Sequence, residues 1–222
     1  MKNILSYESP VIQFLMKFCA ACCLGLLWAI CSIPIVTVGA ATTALYTVTV
    51  KLVRGTEGTS AVAQFFRAFR ANFKQATQLW LILLGAGVFL ALDGYVLSHL
   101  RATTTGAPAI LWTLLFAVII AAGVLYAMVL VYTFPLLAYF DNDNRAMLRN
   151  ALLVAVRYLF CTISMLAIHA AVLWVEINLF PPLLLMGEGL TALGCSYLLS
   201  SVLMAVSGEA KAAAEAAEEE AL

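Results

Sequence analysis

The chain is 222 residues long, 64% hydrophobic and 11% charged, with a mean hydropathy of +1.01 and a formal net charge of zero. A soluble domain carries about 25% charged residues, so this chain lacks the charge to cover a water-facing surface, and one integral membrane domain is expected. The zero balance gives no basic excess for nucleic acid. No HExxH, P-loop or GxSxG pattern is present, which excludes Walker-type ATP hydrolysis and leaves no enzymatic constellation in view.

At the N-terminus, Lys2, Glu8 and Lys17 surround an apolar run too long for a signal-peptide core, so the segment is expected to be retained. A short interfacial element is expected before residue 10, with Ser9 as N-cap and Pro10 at the first helical position. Residues 18–50 carry no charge. As one helix they would measure roughly 50 Å, too long for a hydrocarbon core of ~30 Å. Pro34 and Gly39 sit in the middle, where proline disrupts a helix and glycine permits a tight reversal. A hairpin is therefore expected, with spans at 10–35 and 37–53. The second is short and Thr-rich, so a re-entrant segment is the alternative.

Residues 60–78 are the most patterned stretch. Val62, Phe65, Phe66, Phe69 and Phe73 recur at three- and four-residue steps, and Arg67, Arg70 and Lys74 share another face. That separation suits an amphipathic helix in the inner leaflet, with its bases at anionic headgroups, or a docking helix for a cytoplasmic partner. A third span follows at 79–97, interrupted by Asp93, and a fourth lies within the uncharged run 109–140. Residues 141–159 repeat the amphipathic layout. Asp141, Asn142 and Asp143 can cap a helix start, Arg145, Arg149 and Arg157 supply the bases, and Met147, Leu148, Ala151, Leu152 and Ala155 form the apolar stripe. Arg67-Ala68-Phe69-Arg70 and Arg145-Ala146-Met147-Leu148-Arg149 hint at a repeated span-helix-span unit. Further spans are expected at 159–175 and 189–208, and residues 209–222 form an acidic Ala/Glu-rich tail.

The expected fold is all-α: a polytopic membrane helical bundle of about six segments (five if 37–53 is re-entrant), with amphipathic cytoplasmic helices. Residues 1–208 form the membrane domain. All of the twelve Lys and Arg residues except Arg101 can then lie on one side, which the positive-inside rule makes the cytoplasm, with both termini there. Gly25, Gly39, Gly85, Gly87 and Gly123 are available for close helix packing.

Cys19, Cys22, Cys23, Cys31, Cys161 and Cys195 all lie in apolar runs and read as small packing residues, not as metal ligands or disulfides. Three polar residues fall within or beside the spans. Asp93 and Glu176 suit headgroup level, and His169 suits a bond to a neighbouring carbonyl. The sharper reading groups Asp93, His169 and Glu176 into a polar pocket for a cation, a proton or a sugar hydroxyl. His169 and Glu176 are seven residues apart and share a helix face.

The blocks Ser32-Ile33-Pro34-Ile35-Val36-Thr37-Val38-Gly39-Ala40-Ala41-Thr42-Thr43-Ala44-Leu45-Tyr46, Lys51-Leu52-Val53-Arg54-Gly55-Thr56-Glu57-Gly58 and Phe65-Phe66-Arg67-Ala68-Phe69-Arg70-Ala71-Asn72-Phe73-Lys74-Gln75-Ala76-Thr77 resemble the YesL family of bacterial integral membrane proteins. So does Phe134-Pro135-Leu136-Leu137-Ala138-Tyr139-Phe140. That family has no assigned activity or functional residues, and its genes often neighbour those of carbohydrate uptake. The resemblance implies an accessory or regulatory role beside a sugar ABC transporter, in the cell membrane, with transporter subunits as partners and no cofactor. A stand-alone transporter or channel, alone or as a homo-oligomer, is the alternative, resting on the Asp93, His169 and Glu176 pocket.

Overall fold

The computed structural model describes residues 10–56, 60–179 and 185–220. Every regular element among them is helical, with no strand. In chain order these are α1 (Pro10–Cys31), a 3-10 turn (Ile35–Thr37), α2 (Val38–Arg54), α3 (Ala61–Thr103), α4 (Ala107–Leu137), α5 (Asn144–Arg157), α6 (Leu159–Asn178) and α7 (Gly187–Glu220). Among the described residues six stretches are long and apolar enough to cross a membrane: one each in α1, α3, α4, α6 and α7, and one that joins the 3-10 turn to α2. The chain is therefore an all-α polytopic bundle. The interfacial element expected before residue 10, and its Ser9 cap, lie outside the described residues.

The reversal between α1 and α2 is made as expected, but by different residues. Pro34 holds the chain extended, and the Thr37 hydroxyl donates to the carbonyls of Cys31 (2.5 Å) and Pro34 (2.7 Å). It thereby satisfies an orphan carbonyl at the end of α1. Gly39 is not the turn residue. It lies in the first turn of α2, where a β-carbon would meet the Ala76 carbonyl at 2.5 Å, Trp80 Cβ at 2.7 Å and the Phe134 ring at 2.8 Å. Its role is close approach of helices. At its far end α2 stops at Gly55, whose φ of 67° places it in the left-handed region that favours glycine.

The centre of the bundle is α2. Its Ala40, Ala41, Ala44, Leu45, Val48 and Val50 are fully buried. Around them pack Leu24 of α1, Phe65 and Leu79 of α3, Tyr132 and Leu136 of α4, Met147 of α5, Met165 of α6 and Leu199 of α7. The threonines that made this segment look short of apolar character are accommodated internally. Thr42, Thr43, Thr47 and Thr49 each donate to the carbonyl four residues back, and Ser196 donates to Thr49 Oγ1 at 2.8 Å. A helix enclosed by protein need not carry lipid-facing side chains, which explains its weaker hydrophobic signal.

The amphipathic stretch 60–78 and the span 79–97 are one helix. α3 runs unbroken for 43 residues, roughly 64 Å at 1.5 Å per residue. Its first half lies antiparallel to α2. Thr47 and Lys51 share a groove with Gln64, Arg67 and Asn72, and the Trp80 indole donates to the Ile35 carbonyl at 2.7 Å. Its second half pairs with α4. The Tyr126 hydroxyl donates to the Leu83 carbonyl (3.0 Å), Gly94 faces Ile119, and the Arg101 guanidinium sits 4.8 Å from the Phe116 ring centre. The outer faces of this hairpin are apolar and exposed, as at Phe89 (64%), Tyr95 (73%) and Val118 (63%). Residues 60–78 are therefore continuous with the span that follows and not a separate element.

Asp143 occupies the N-cap position of α5, but its carboxylate makes no capping bond. The start of α5 is fixed from outside instead. Gln75 Nε2 donates to the Asn142 carbonyl (2.5 Å), and Asn144 Nδ2 donates to Gln78 Oε1 (3.1 Å). Of the expected apolar stripe, Met147, Ala151 and Ala155 are buried, joined by Val154. The Thr162 hydroxyl donates to the Ala155 carbonyl at 2.7 Å and ties α6 to α5. α7 meets α1 at Gly25 and Gly189, where added β-carbons would strike the Met186 backbone and the α1 backbone respectively. Such contacts are the small-residue packing used between helices in lipid. α7 then continues as helix to Glu220, through residues the sequence set apart as a tail.

Candidate functional site

Two regions gather polar side chains. The first is a cavity of about 180 Å³ lined by Trp28, Val38, Thr42, Tyr46, Trp80, Leu130, Val131, Phe134, Pro135, His169 and Glu188. Five helices of the bundle (α1, α2, α3, α4 and α6) and the first turn of α7 meet there. His169 Nδ1 lies 2.8 Å from the Met165 carbonyl and 3.7 Å from Cys195 Sγ. A carbonyl can only accept, so Nδ1 carries the proton, and in the neutral ring Nε2 is the acceptor. The carbonyl bond expected for His169 is therefore present, and the ring also lines the cavity.

Glu176 is 5% exposed, and its carboxylate packs against the α-carbon of Gly187. Glu188, the next residue, lies within electrostatic reach of both His169 and Glu176. Tyr46 is fully buried beside Cys195 and is also coupled to Glu188. His169 and Glu176 lie on one face of α6, as their seven-residue spacing implies, but only His169 lines the cavity. Sequence reasoning missed Glu188 and Tyr46. Glu188 stands between Gly187 and Gly189, and two glycines around an acid read as loop. Here the glycines serve the Glu176 and α1 contacts instead.

Asp93 is not brought to this site. It lies on the α3–α4 hairpin, 13 residues beyond Trp80, or roughly 20 Å along the helix. Of the three residues grouped from sequence, only His169 lines the cavity, joined there by Glu188; Glu176 packs against Gly187 beside it. Among the described residues no cluster of His, Cys, Asp and Glu could hold a metal ion. All six cysteines are free; Cys195 is buried in the core, whereas Cys19 and Cys23 are exposed on α1.

The second region is a basic face. Arg67, Arg70 and Lys74 of α3 and Arg145 and Arg149 of α5 are all exposed. An open groove brings Lys74 and Arg145 together with Gln75, Gln78, Asp143 and Asn144. The two side chain bonds that fix α5 on α3 form the floor of this arrangement, so bases from separate segments are held at a set spacing. Nearby, Arg54 donates to the Ser200 carbonyl at 3.1 Å and stacks 5.5 Å from the Tyr139 ring centre. That base is spent on structure.

Residues 21–94 match the model of a family described as "Protein of unknown function, DUF624". The uncharacterized protein YteU of Bacillus subtilis (strain 168) is 29% identical over 161 residues, covering 72% of this chain and 68% of that protein. No solved structure matches. The matched segment runs from the middle of α1 through α2 and most of α3. It contains Trp28, Thr42, Tyr46 and Trp80 of the cavity and Arg67, Arg70 and Lys74 of the basic face. It does not reach His169, Glu176 or Glu188.

Proposed function

We propose that this multi-pass membrane protein is an accessory or regulatory subunit associated with bacterial sugar ABC transport, docked on its partner through the basic face of α3 and α5. The observation that carries the docking is the Lys74–Arg145 groove, in which two helices are bonded together while their five bases stay exposed. A fixed array of exposed charge gives a partner register and steering. The likeness of 32–46, 51–58 and 65–77 to the YesL family supplies the carbohydrate context. The positive-inside rule puts this face in the cytoplasm, where the same bases also meet anionic headgroups.

Affinity purification in mild detergent tests this. Wild-type protein is expected to bring down sugar ABC transporter subunits. Combined Arg67→Glu, Arg70→Glu and Lys74→Glu should release them without loss of membrane insertion. Recovery of no transporter subunit with the wild type would sink the reading, as would equal recovery with the charge-reversed variant.

A further inference from the structure

We infer that the cavity lined by Trp28, Tyr46, Trp80, His169 and Glu188 is a binding site for a small organic ammonium ion. The inference is independent of the docking reading, because the cavity and the basic face share no residue. Its basis is what the wall presents once the internal bonds are subtracted. The Trp28 indole donates to Thr42 Oγ1 at 2.9 Å, and the Trp80 indole donates to the Ile35 carbonyl at 2.7 Å. The Thr42 hydroxyl donates in turn to the Val38 carbonyl at 2.8 Å. The main neutral donors of the wall are therefore committed to the protein. What faces inward is aromatic surface and acceptors: the rings of Trp28 and Trp80, the Glu188 carboxyl, and the Nε2 that remains when His169 Nδ1 serves Met165.

That inventory selects among guests. An anion would meet acceptors and find no base, since no Lys or Arg is among the described lining residues. A sugar needs donors as well as acceptors from the wall, and the indole donors are taken. A cation is suited to ring faces and to a carboxylate at once. The Glu188 carboxyl is the one acidic group of the wall, and an ammonium can donate a hydrogen bond to it while resting on the rings. The space exceeds a single water and admits a guest of several heavy atoms. Inorganic cations take shells of oxygen ligands, whereas this wall is mostly aromatic and aliphatic, so an organic ammonium is the better match.

The test uses the full chain in a maltoside micelle and intrinsic tryptophan fluorescence. The probes are choline, ethanolamine, the uncharged isostere of choline in which carbon replaces nitrogen, and glucose. A saturable response to choline or ethanolamine is expected, with none to the isostere or to glucose. Glu188→Gln should weaken binding by at least about tenfold, and Glu188→Asp should largely retain it. Competition by phosphatidylethanolamine but not phosphatidylglycerol would assign the guest to a lipid headgroup, and its failure would assign it to a free amine; both support the site. Equal binding of the isostere, a saturable response to glucose alone, or no ammonium response into the millimolar range would overturn the inference. So would wild-type affinity in a well-folded Glu188→Gln variant. If that variant aggregates, the choline and isostere comparison on the wild-type chain decides alone.

Discussion

A β-carbon at Gly39 has nowhere to go, because three atoms from α3 and α4 stand within 2.8 Å of its position. Two of them are a backbone carbonyl and a Cβ, which cannot rotate away. Overpacking of this kind costs about 1–3 kcal/mol, so Gly39→Val is expected to lower the apparent melting temperature in detergent markedly. Gly85→Ala is the matched control. Nothing lies within 4 Å of a β-carbon there, and alanine favours helix over glycine, so the melting temperature should hold or rise. Equal loss in both variants would mean that the α2–α3 contact is not tight. The sequence marked all five candidate packing glycines alike, yet Gly85 and Gly123 face open space while Gly25, Gly39 and Gly87 do not. Glycine's two uses, free backbone and absent side chain, look identical until a neighbour is placed. The same ambiguity hid Glu188, whereas the shared helix face of His169 and Glu176 needed only the 3.6-residue period.

Helices were legible where length and apolar content alone decide, as in the 159–175 and 189–208 spans, which fall within α6 and α7. The basic stretch 60–78 runs straight into the span after it: charge giving way to apolar sequence there reports a shift of environment, not a break in backbone hydrogen bonding. Between Ala61 and Leu84 there is no proline or glycine to interrupt the ladder. The continuity is measurable. With the native cysteines replaced, spin labels at Arg70→Cys and Arg101→Cys should lie about 45 Å apart along a straight α3. A right-angle bend at residue 78 would shorten this to roughly 35 Å. A distribution centred on the shorter distance would mean that the two halves of α3 meet at a bend. The start of α5 teaches the complementary lesson. Its acidic residues suggested a self-contained cap, but the order comes from Gln75 and Gln78 of α3, which no local pattern announces.

For the whole molecule, the governing constraint is that α3 is more than twice as long as a hydrocarbon core of ~30 Å is thick. Both halves cannot lie in lipid at once. The exposed bases sit on the first half, and the outward apolar side chains Phe89, Leu92 and Val96 sit on the second. From Trp80 to Arg101 is 21 residues, or roughly 32 Å, which matches one bilayer core. The bond from Trp80 to Ile35 places the α1–α2 turn at the near end of that interval and not beside Arg101. Six stretches among the described residues are long and apolar enough to cross, as the charge-free lengths imply, but such length does not say which part of a neighbour each one packs against. Labelling with a membrane-impermeant maleimide in intact cells, in a cysteine-free background, should discriminate. Arg101→Cys should react from outside, and Arg70→Cys should react only after permeabilisation, following the positive-inside rule. Ile33→Cys, which is 77% exposed within the chain, should fail to react at the rate of Arg101→Cys, because it lies about one bilayer core away. Equal outside labelling at 33 and 101 would mean that α2 crosses in parallel with the α3–α4 hairpin, and would overturn this placement of the bundle.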